Sequence, residues 1–183
     1  MAWIRGYLAA SLDGYIATPT GGLDWLTKYE SADFGDAGYA TFIRGIRTVV
    51  MGRATYDFVA NAVADWPYPN HRTIIVTSSL IEAPRGPIQI WSKGIQSLVA
   101  HLRDLDDGDV WMAGGGRLQM AFIEQVALDE LEVIIVPELI GDGIRLFPPT
   151  GFASSPKLVA ARALERDCVY LHYRFTPAEP ALP

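Results

Sequence analysis

The sequence is poor in the residues that build covalent and metal-bound sites. Cys168 is the single cysteine among 183 residues, which excludes an intrachain disulfide and any site built on a Cys-x-x-Cys pair. The three histidines, His71, His101 and His172, form none of the spacings that zinc sites use. We therefore predict no metal site, and the scarcity of cysteine fits a reducing cytoplasm.

Basic runs and long apolar runs are also absent. The 15 Lys and Arg residues are outnumbered by 21 Asp and Glu, for a net charge of −6, and no basic cluster could follow a phosphate backbone. No window approaches the roughly 20 apolar residues of a membrane span, and the N-terminus lacks the basic start and apolar core of a signal peptide. The sequence predicts no nucleic-acid partner, no membrane segment and a soluble, cytoplasmic protein.

Apolar residues, in contrast, are plentiful. Half of the chain is hydrophobic and 20% is charged, which is typical of a globular domain with a substantial core. A length of 183 residues suits one such core. Because prolines prevent a packed element in the last segment, TPAEPALP, we expect one domain over residues 1–176 and a flexible tail over 177–183.

Short apolar segments alternate with segments of helical periodicity, and this alternation predicts an α/β fold. The predicted strands are residues 3–10, 48–51, 73–78, 109–114 and 131–140. The predicted helices are residues 32–46, 55–63, 95–105 and 117–128. In the last segment, 157–175, apolar and polar side chains alternate around a polar break, which indicates an antiparallel hairpin at one end of the sheet.

Three glycines, Gly114 to Gly116, stand between a predicted strand and a predicted helix. Such a turn presents backbone N–H groups and the positive end of a helix, which together form a generic site for phosphate. The dinucleotide fingerprint GxGxxG fails because Gln119 stands where its last glycine would be. A tight turn with positive φ would explain one glycine but not three, so we favour the close approach of a ligand.

Two more predicted strand ends carry groups that suit phosphate. In VVMGRATY the strand ends at Gly52, Arg53 offers a planar fork of donors, and Thr55 opens a helix. The next strand ends in the hydroxyls of Ser78 and Ser79. Open α/β sheets bind ligands at the carboxyl ends of their strands. An exposed arginine beside an ordinary turn is the alternative for Arg53.

A long first loop, AASLDGYIATPTGGLDWL at residues 9–26, is the last feature that indicates function. Loops of this length in a compact domain are often functional. A simple turn at Asp13 and Gly14 is the alternative.

Together these segments resemble a known family. Gly-Arg-x-Thr, Ser-Ser and Gly-Gly-Gly-Arg are similar to segments of the dihydrofolate reductase fold, and SLDGYIA is similar to its RibD C-terminal branch, the reductases of riboflavin biosynthesis. The resemblance covers nearly the whole chain. It implies a three-layer α/β fold with a mainly parallel central sheet and an antiparallel C-terminal hairpin. It also implies NADPH as the cofactor and a homodimer that forms through the C-terminal strands.

The resemblance further assigns cofactor-binding residues. Those that would hold phosphates, including the adenosine 2′-phosphate, are Gly52, Arg53, Thr55, Thr77, Ser78 and Ser79. Those that would surround the pyrophosphate are Gly114, Gly115, Gly116, Arg117 and Leu118. Those that would lie along the nicotinamide are Ala10, Gly14, Tyr15 and Ile16.

Several carboxylates compete for the catalytic role. Asp36 and its neighbour Asp33 precede the Met-Gly-Arg strand, where dihydrofolate reductases place a substrate-binding acid. For each of them, a helix-start carboxylate that faces the helix dipole is the alternative. Asp13 and Asp24 are rivals near the presumed nicotinamide, and Asp24 with Trp25 forms the predicted substrate-binding segment.

The expected substrate class follows from what the chain shares with the family and what it lacks. The His-x-Leu-Arg element of the riboflavin enzymes is missing, as are the HxE and PCxxC motifs of a zinc deaminase. We expect a stand-alone NADPH-dependent reductase that transfers hydride to a small heterocyclic or carbonyl substrate, such as a pteridine or an aminopyrimidine. A nucleotide-binding sensor without turnover and a true dihydrofolate reductase are the alternatives.

Overall fold

The computed structural model describes residues 1–175, so the tail predicted at 177–183 lies outside the described residues. This part of the chain contains ten strands: β1 Ile4–Ser11, β2 Tyr15–Ala17, β3 Ile46–Gly52, β4 Arg72–Val76, β5 Ile88–Trp91, β6 Asp109–Gly114, β7 Glu130–Val136, β8 Ile144–Arg145, β9 Lys157–Ala163 and β10 Val169–Arg174. The same residues contain four α-helices: α1 Tyr39–Phe42, α2 Arg53–Ala62, α3 Ile95–Arg103 and α4 Gly116–Glu124. Short 3-10 helices lie at Asp24–Tyr29, Gly35–Ala37, Ile43–Gly45 and Glu165–Asp167.

Eight of these strands form one sheet in the order β5-β4-β3-β6-β1-β7-β10-β9. The strands from β5 to β7 in this order are parallel to one another. The last two form a hairpin in which β10 runs antiparallel to both of its neighbours, β7 and β9. The predicted antiparallel hairpin at one end of the sheet is therefore confirmed. A separate antiparallel pair joins β2 to β8.

Helices cover the sheet on two faces, which produces three layers. On one face, α3 and α4 pack against the strands through Leu98, Leu102 and Phe122. On the opposite face, α1 and α2 contribute Phe42 and Tyr56 to a core rich in aromatic side chains. Successive residues of a strand point to opposite faces, so β3 and β4, which are covered on both sides, have continuous apolar runs at residues 49–51 and 74–76.

Two predicted helices have wrong boundaries. The single helix predicted at 32–46 is three short pieces, because the backbone is extended at Gly38, with φ −77° and ψ 155°. The helix predicted to reach residue 128 ends at Glu124, and Val126 beyond it has φ 51° and is 49% exposed. Val126 therefore does not continue the apolar face of α4.

The sequence does not indicate β5, one of the two edge strands of the sheet. It is four residues long, and Gln89 and Ile90 within it are exposed because a strand pairs with it on one side alone. Strand β5 is parallel to β4, so both strands end at the same edge of the sheet. The carboxyl ends of four neighbouring strands, β5, β4, β3 and β6, therefore meet at one edge of the sheet.

Candidate functional site

The site is built where β3 and β6 end side by side. Met51 of β3 is paired with Gly114 of β6, and each strand continues directly into a helix. Helix α2 begins at Arg53 after Gly52, and α4 begins at Gly116 after Gly115. The first N–H groups of a helix have no acceptor within it and carry the positive end of the helix dipole. Two such ends therefore point toward one place at the carboxyl edge of the sheet.

The glycines at these two turns leave space that the chain itself does not fill. A Cβ atom added to Gly52 would lie 3.9 Å from the Gly114 carbonyl oxygen, and one added to Gly115 would lie 3.5 Å from Thr55 Oγ1. Both are ordinary van der Waals distances, so packing within the chain does not require either glycine. Gly114 differs, because its φ of +116° is one that other residues rarely adopt.

At Gly116, packing within the protein itself requires a glycine. A Cβ atom at this position would collide with the carbonyl oxygen of Arg145 and would lie 3.0 Å from that of Leu146. The segment that contains β8 thus packs directly on the first residue of α4. The close approach predicted for three glycines is explained at Gly116 by the chain's own backbone, and a role for this residue in binding phosphate stays a prediction.

Arg53 joins the start of α2 to the segment that follows β4. Its Nε donates to both carboxylate oxygens of Asp57, at 2.8 and 2.9 Å, and its Nη1 donates to the carbonyl of Leu80 at 3.0 Å. In the same segment, Thr77 Oγ1 accepts a hydrogen bond from the N–H of Ser79 at 3.1 Å. Arg53 therefore contacts Leu80, which directly follows the hydroxyl-rich residues 77–79, of which Ser78 and Ser79 are exposed.

Asp13 organises the turn after β1. Its carboxylate accepts hydrogen bonds from the Ser11 hydroxyl at 2.6 Å and from the N–H groups of Gly141 at 2.8 Å and Ile140 at 3.3 Å. The bond from Ser11, followed by the two backbone N–H groups, lowers the pKa of Asp13. A carboxyl group that is held ionised in this way fixes the loop after β7 against the β1–β2 turn and is poorly suited to donate a proton.

Asp36 lies elsewhere, against the far strand of the sheet. Both oxygens of its carboxylate accept from Arg162 Nη1 of β9, at 2.8 and 3.0 Å, and its side chain is 75% exposed. Its neighbour Asp33 accepts from the N–H of Gly35 at 2.8 Å. Because β9 is three strands away from β1, the structure does not bring Asp36 and Asp13 together.

Asp24 and Trp25 lie on the 3-10 helix Asp24–Tyr29, which is attached to the end of the sheet. The Tyr29 hydroxyl donates to Glu138 Oε1 at 2.6 Å, and this bond raises the pKa of Tyr29 to about 12. Asp24 is exposed, whereas the Nε1 of Trp25 is buried and has no hydrogen-bond partner in the described part of the chain. A buried N–H donor of this kind is available to an acceptor on a ligand.

Residues 1–175 contain neither a candidate metal site nor a helix that could cross a membrane. No three side chains of His, Cys, Asp or Glu are grouped there in a way that could hold a metal ion. No helix in this range has the length and apolar character needed to cross a membrane.

Comparison with known proteins places the chain in a family. Residues 2–170 match the family described as the RibD C-terminal domain. The chain belongs to the RibD C-terminal domain family. This membership agrees with the resemblance in SLDGYIA and in the three strand ends, and it supports a role as a reductase.

The matches between this RibD C-terminal domain and its relatives cover nearly the whole chain. The uncharacterized protein YwjB of Bacillus subtilis (strain 168) is 31% identical over 167 residues, which cover 91% of this chain and 94% of YwjB. A crystal structure of a putative riboflavin biosynthesis protein from Shewanella sp. PV-4 has a TM-score of 0.85 and 26% identity, and the match covers 97% of this chain and 100% of that chain. Dihydrofolate reductase from Enterococcus faecalis, complexed with NADP(H), has a TM-score of 0.62 and 22% identity over 94% of this chain and 95% of its own. The predicted dihydrofolate reductase-like fold is confirmed.

One part of the site in this RibD C-terminal domain was not predicted. Strand β8 pairs with β2, so that Arg145 lies opposite Tyr15, with its guanidinium carbon 5.2 Å from the centre of the tyrosine ring. The N–H of Leu146 also donates to the carbonyl of Gly14 at 3.0 Å. The segment 143–146 therefore holds the loop predicted to face the nicotinamide and touches the start of α4 at the same time. A two-residue strand leaves too short a pattern in the sequence to be recognised.

Proposed function

We propose that the chain is an NADPH-dependent reductase that transfers hydride to a small heterocyclic or carbonyl substrate, such as a pteridine or an aminopyrimidine. The observation that carries this proposal is that α2 and α4 begin close together beside Gly52 and Gly115, where packing within the chain does not require glycine. Two of the similar structures support the proposal through the functions of those proteins. One is a putative riboflavin biosynthesis protein, and the other is a dihydrofolate reductase complexed with NADP(H).

The residues at this edge fit such a cofactor. The N–H groups at the starts of α2 and α4 are suited to the pyrophosphate, and the Thr55 hydroxyl lies next to the turn that precedes α4. Arg53 and the hydroxyls after β4 are suited to the 2′-phosphate. Because the chain carries a net charge of −6, these local donors have to offset a repulsive surface.

In this proposal the protein orients the cofactor and shields its reactive face, and the bound NADPH supplies the hydride. Ala10, which is buried at the end of β1, and the loop from Gly14 to Ile16 form the wall along the nicotinamide. Strand β8 keeps this loop in place through the contact between Arg145 and Tyr15. A loop anchored in this way excludes water from the site of transfer.

The proton that accompanies the hydride is assigned to a carboxylate or to a water molecule that it holds. Asp36 and Asp13 are the two candidates, with Asp24 beside Trp25 as part of the substrate site. The hydrogen bonds on Asp13 favour a positioning role for it, because they stabilise its ionised form. Asp36 is accessible, with Arg162 as its partner.

The proposal is tested by titrating the protein with NADPH and, in parallel, with NADH, following cofactor fluorescence. We expect wild type to bind NADPH and the variant Gly52→Ala to lose most of this affinity, because its new Cβ occupies the space that the phosphates need. Its free energy of unfolding should change by less than about 1 kcal/mol, since the contacts of that Cβ are ordinary. Gly45→Ala is the matched control, because a Cβ at Gly45 meets nothing within 4 Å.

Three results of this titration lead to different conclusions. If wild type binds neither nucleotide, the proposal is wrong. If wild type binds NADPH but reduces no pteridine, aminopyrimidine or carbonyl compound, the chain is a nucleotide-binding sensor instead of a reductase. If dihydrofolate is reduced in preference to the other substrates, the chain is a true dihydrofolate reductase.

We also propose that two copies of the chain pair through the C-terminal strands. Side chains of β7 and β10, among them Leu131, Leu171 and Tyr173, line an apolar cavity of about 400 Å³ that is also bordered by Phe147. Apolar side chains of the hairpin remain exposed beside it, including Leu158 at 51%. A contiguous apolar surface of this kind is typical of an interface, and a second copy is the partner that presents the same hairpin.

A further inference from the structure

Residues 23–38, which we call the strap, are fastened beside the carboxyl ends of β1 and β7. The N–H of Leu12, just after β1, donates to the carbonyl of Glu138 at 2.8 Å. The side chain of the same Glu138 accepts from the hydroxyl of Tyr29, in the middle of the strap, at 2.6 Å. The strap therefore lies next to the end of β1, where the wall along the nicotinamide is proposed.

The strap belongs to no strand of either sheet. Among residues 1–175, the backbone-to-backbone hydrogen bonds of the strap join it to close neighbours in the sequence, such as Leu26 to Leu23 and Gly38 to Gly35. Its attachments to distant segments are made by side chains. Glycines stand at both of its ends, since Gly21, with φ +84°, and Gly22 precede it and Gly38 is its last residue. A segment attached in this way is able to move as a unit while the sheet stays intact.

The turn between β9 and β10 provides several of these attachments. Arg166 Nη1 donates to the carbonyl of Lys28 at 2.6 Å, and its Nη2 donates to Ser31 Oγ at 2.9 Å. The preceding residue, Glu165, accepts a hydrogen bond from the N–H of Asp33 through Oε2 at 3.1 Å. Two consecutive residues of the C-terminal hairpin thus hold the middle of the strap.

The backbone of this turn is in a conformation that other contacts have to maintain. Arg166 has φ 58° and ψ 35°, and Asp167 has φ 59°, in a region that residues other than glycine seldom adopt and that costs free energy. The side chain of Arg166 is exposed. Because water competes for donors at the surface, its two bonds to the strap can break without any change in the buried core.

We propose that the strap opens and closes over the substrate side of the nicotinamide site, and that Arg166 is the positioning residue that holds it closed. The inference rests on the proposed function, because it assigns the strap to the same site. The strap carries Trp25, whose buried Nε1 has no hydrogen-bond partner in the described part of the chain. Closure brings this donor to the substrate and excludes water, whereas opening admits the substrate and releases the product.

The first test measures amide hydrogen exchange in peptides of the strap for wild type, Arg166→Ala and Arg166→Gly. We expect exchange about 10-fold faster in both variants, because two hydrogen bonds from a charged group are lost. Exchange in β9 and β10 should stay at the wild-type rate. Glycine adopts a φ of 58° readily, so Arg166→Gly removes the guanidinium and preserves the turn. Lys157→Ala, at an exposed position on β9 of the same hairpin, is the matched control and should exchange as wild type does.

The second test measures how strongly acrylamide quenches the fluorescence of bound NADPH. We expect Arg166→Ala to bind NADPH as tightly as wild type, because β9 and β10 lie at the other end of the sheet from β3. Quenching should be stronger in this variant, since an open strap admits the quencher to the nicotinamide. Arg166→Lys should restore part of the protection, because an ammonium group keeps the charge but lacks the planar fork that reaches two acceptors.

Specific results separate this inference from the proposed function. Unchanged exchange in the strap of both variants overturns the role of Arg166, and so does faster exchange throughout β9 and β10, which would mean that the whole hairpin has loosened. Faster exchange confined to the strap, with unchanged quenching, overturns its role as a cover of the nicotinamide. If wild type binds no NADPH, the proposed function is wrong and the role as a cover falls with it, whereas the exchange rates still decide whether Arg166 holds the strap.

Discussion

The half of the sheet formed by β5, β4, β3 and β6 and the half formed by β1, β7, β10 and β9 use their polar residues differently. In the first half, Arg53 and the hydroxyls of residues 77–79 lie just beyond the carboxyl ends of their strands. In the second half, Arg5, Glu132 and Tyr170 lie within neighbouring strands and bind one another. Arg5 Nη2 is 2.7 Å from Glu132 Oε1, and the Tyr170 hydroxyl donates to the other oxygen of Glu132 at 2.6 Å.

This difference separates ligand binding from stability. Burial raises the pKa of Tyr170, so its hydroxyl remains a donor to Glu132 at neutral pH. Both carboxylate oxygens of Glu132 are thereby paired, whereas Arg5 Nε and His172 Nε2 are buried without a hydrogen-bond partner among the described residues. At the starts of α2 and α4, by contrast, N–H groups are left for a ligand. Substitutions in the polar pairs of the second half should therefore affect folding, and those at the strand ends of the first half should affect the binding of phosphate groups.

The largest effect is expected at Glu132, whose side chain is 8% exposed. Glu132→Ala removes the acceptor of both Arg5 and Tyr170 and leaves a half-buried guanidinium less well compensated, which should lower the free energy of unfolding by about 3 kcal/mol. Urea denaturation measures this change. Glu82→Ala is the control, because Glu82 is an exposed residue of the loop after β4. An unchanged midpoint, or a large loss of NADPH affinity in protein that is still folded, would contradict the separation.

The arrangement of the strand ends could be predicted from sequence because it depends on local signals. A glycine after a short apolar strand, followed by a helical period, located the turns at Gly52 and at Gly114 correctly. What could not be predicted depends on contacts between distant segments. Gly116 is required by the backbone of Arg145, and Asp13 accepts from Gly141, which is 128 residues away. Neither Arg145 nor Gly141 produces a recognisable sequence pattern near Gly116 or Asp13.

A smaller effect, on assembly, is expected at the apolar face of the second half. Leu171→Glu places a charge in the apolar cavity lined by side chains of β7 and β10, and it should convert a dimer into a monomer, because a charge buried at an interface without a partner costs several kcal/mol. Light scattering measures the mass of each. Val63→Glu, at an exposed position just after α2, should remain a dimer. A monomeric wild type would show that the proposed pairing does not occur.

The smallest effect is expected at Asp13, which joins the turn after β1 to the loop after β7. Because hydrogen bonds from Ser11 and from two backbone N–H groups lower its pKa in the folded state, its contribution to stability is present above the unfolded value of about 3.9. That contribution is lost as the pH falls through the lower, folded value.

Asp13→Asn should therefore reduce the melting temperature at pH 7 and make the decline toward pH 3 less steep than in wild type. Thermal unfolding at several pH values measures both, with Asp24→Asn as an exposed control. Because β2 follows this turn and pairs with β8, which packs on Gly116, the same variant should also weaken NADPH binding slightly. Identical pH profiles for Asp13→Asn and wild type would mean that the turn is held without the charge of Asp13.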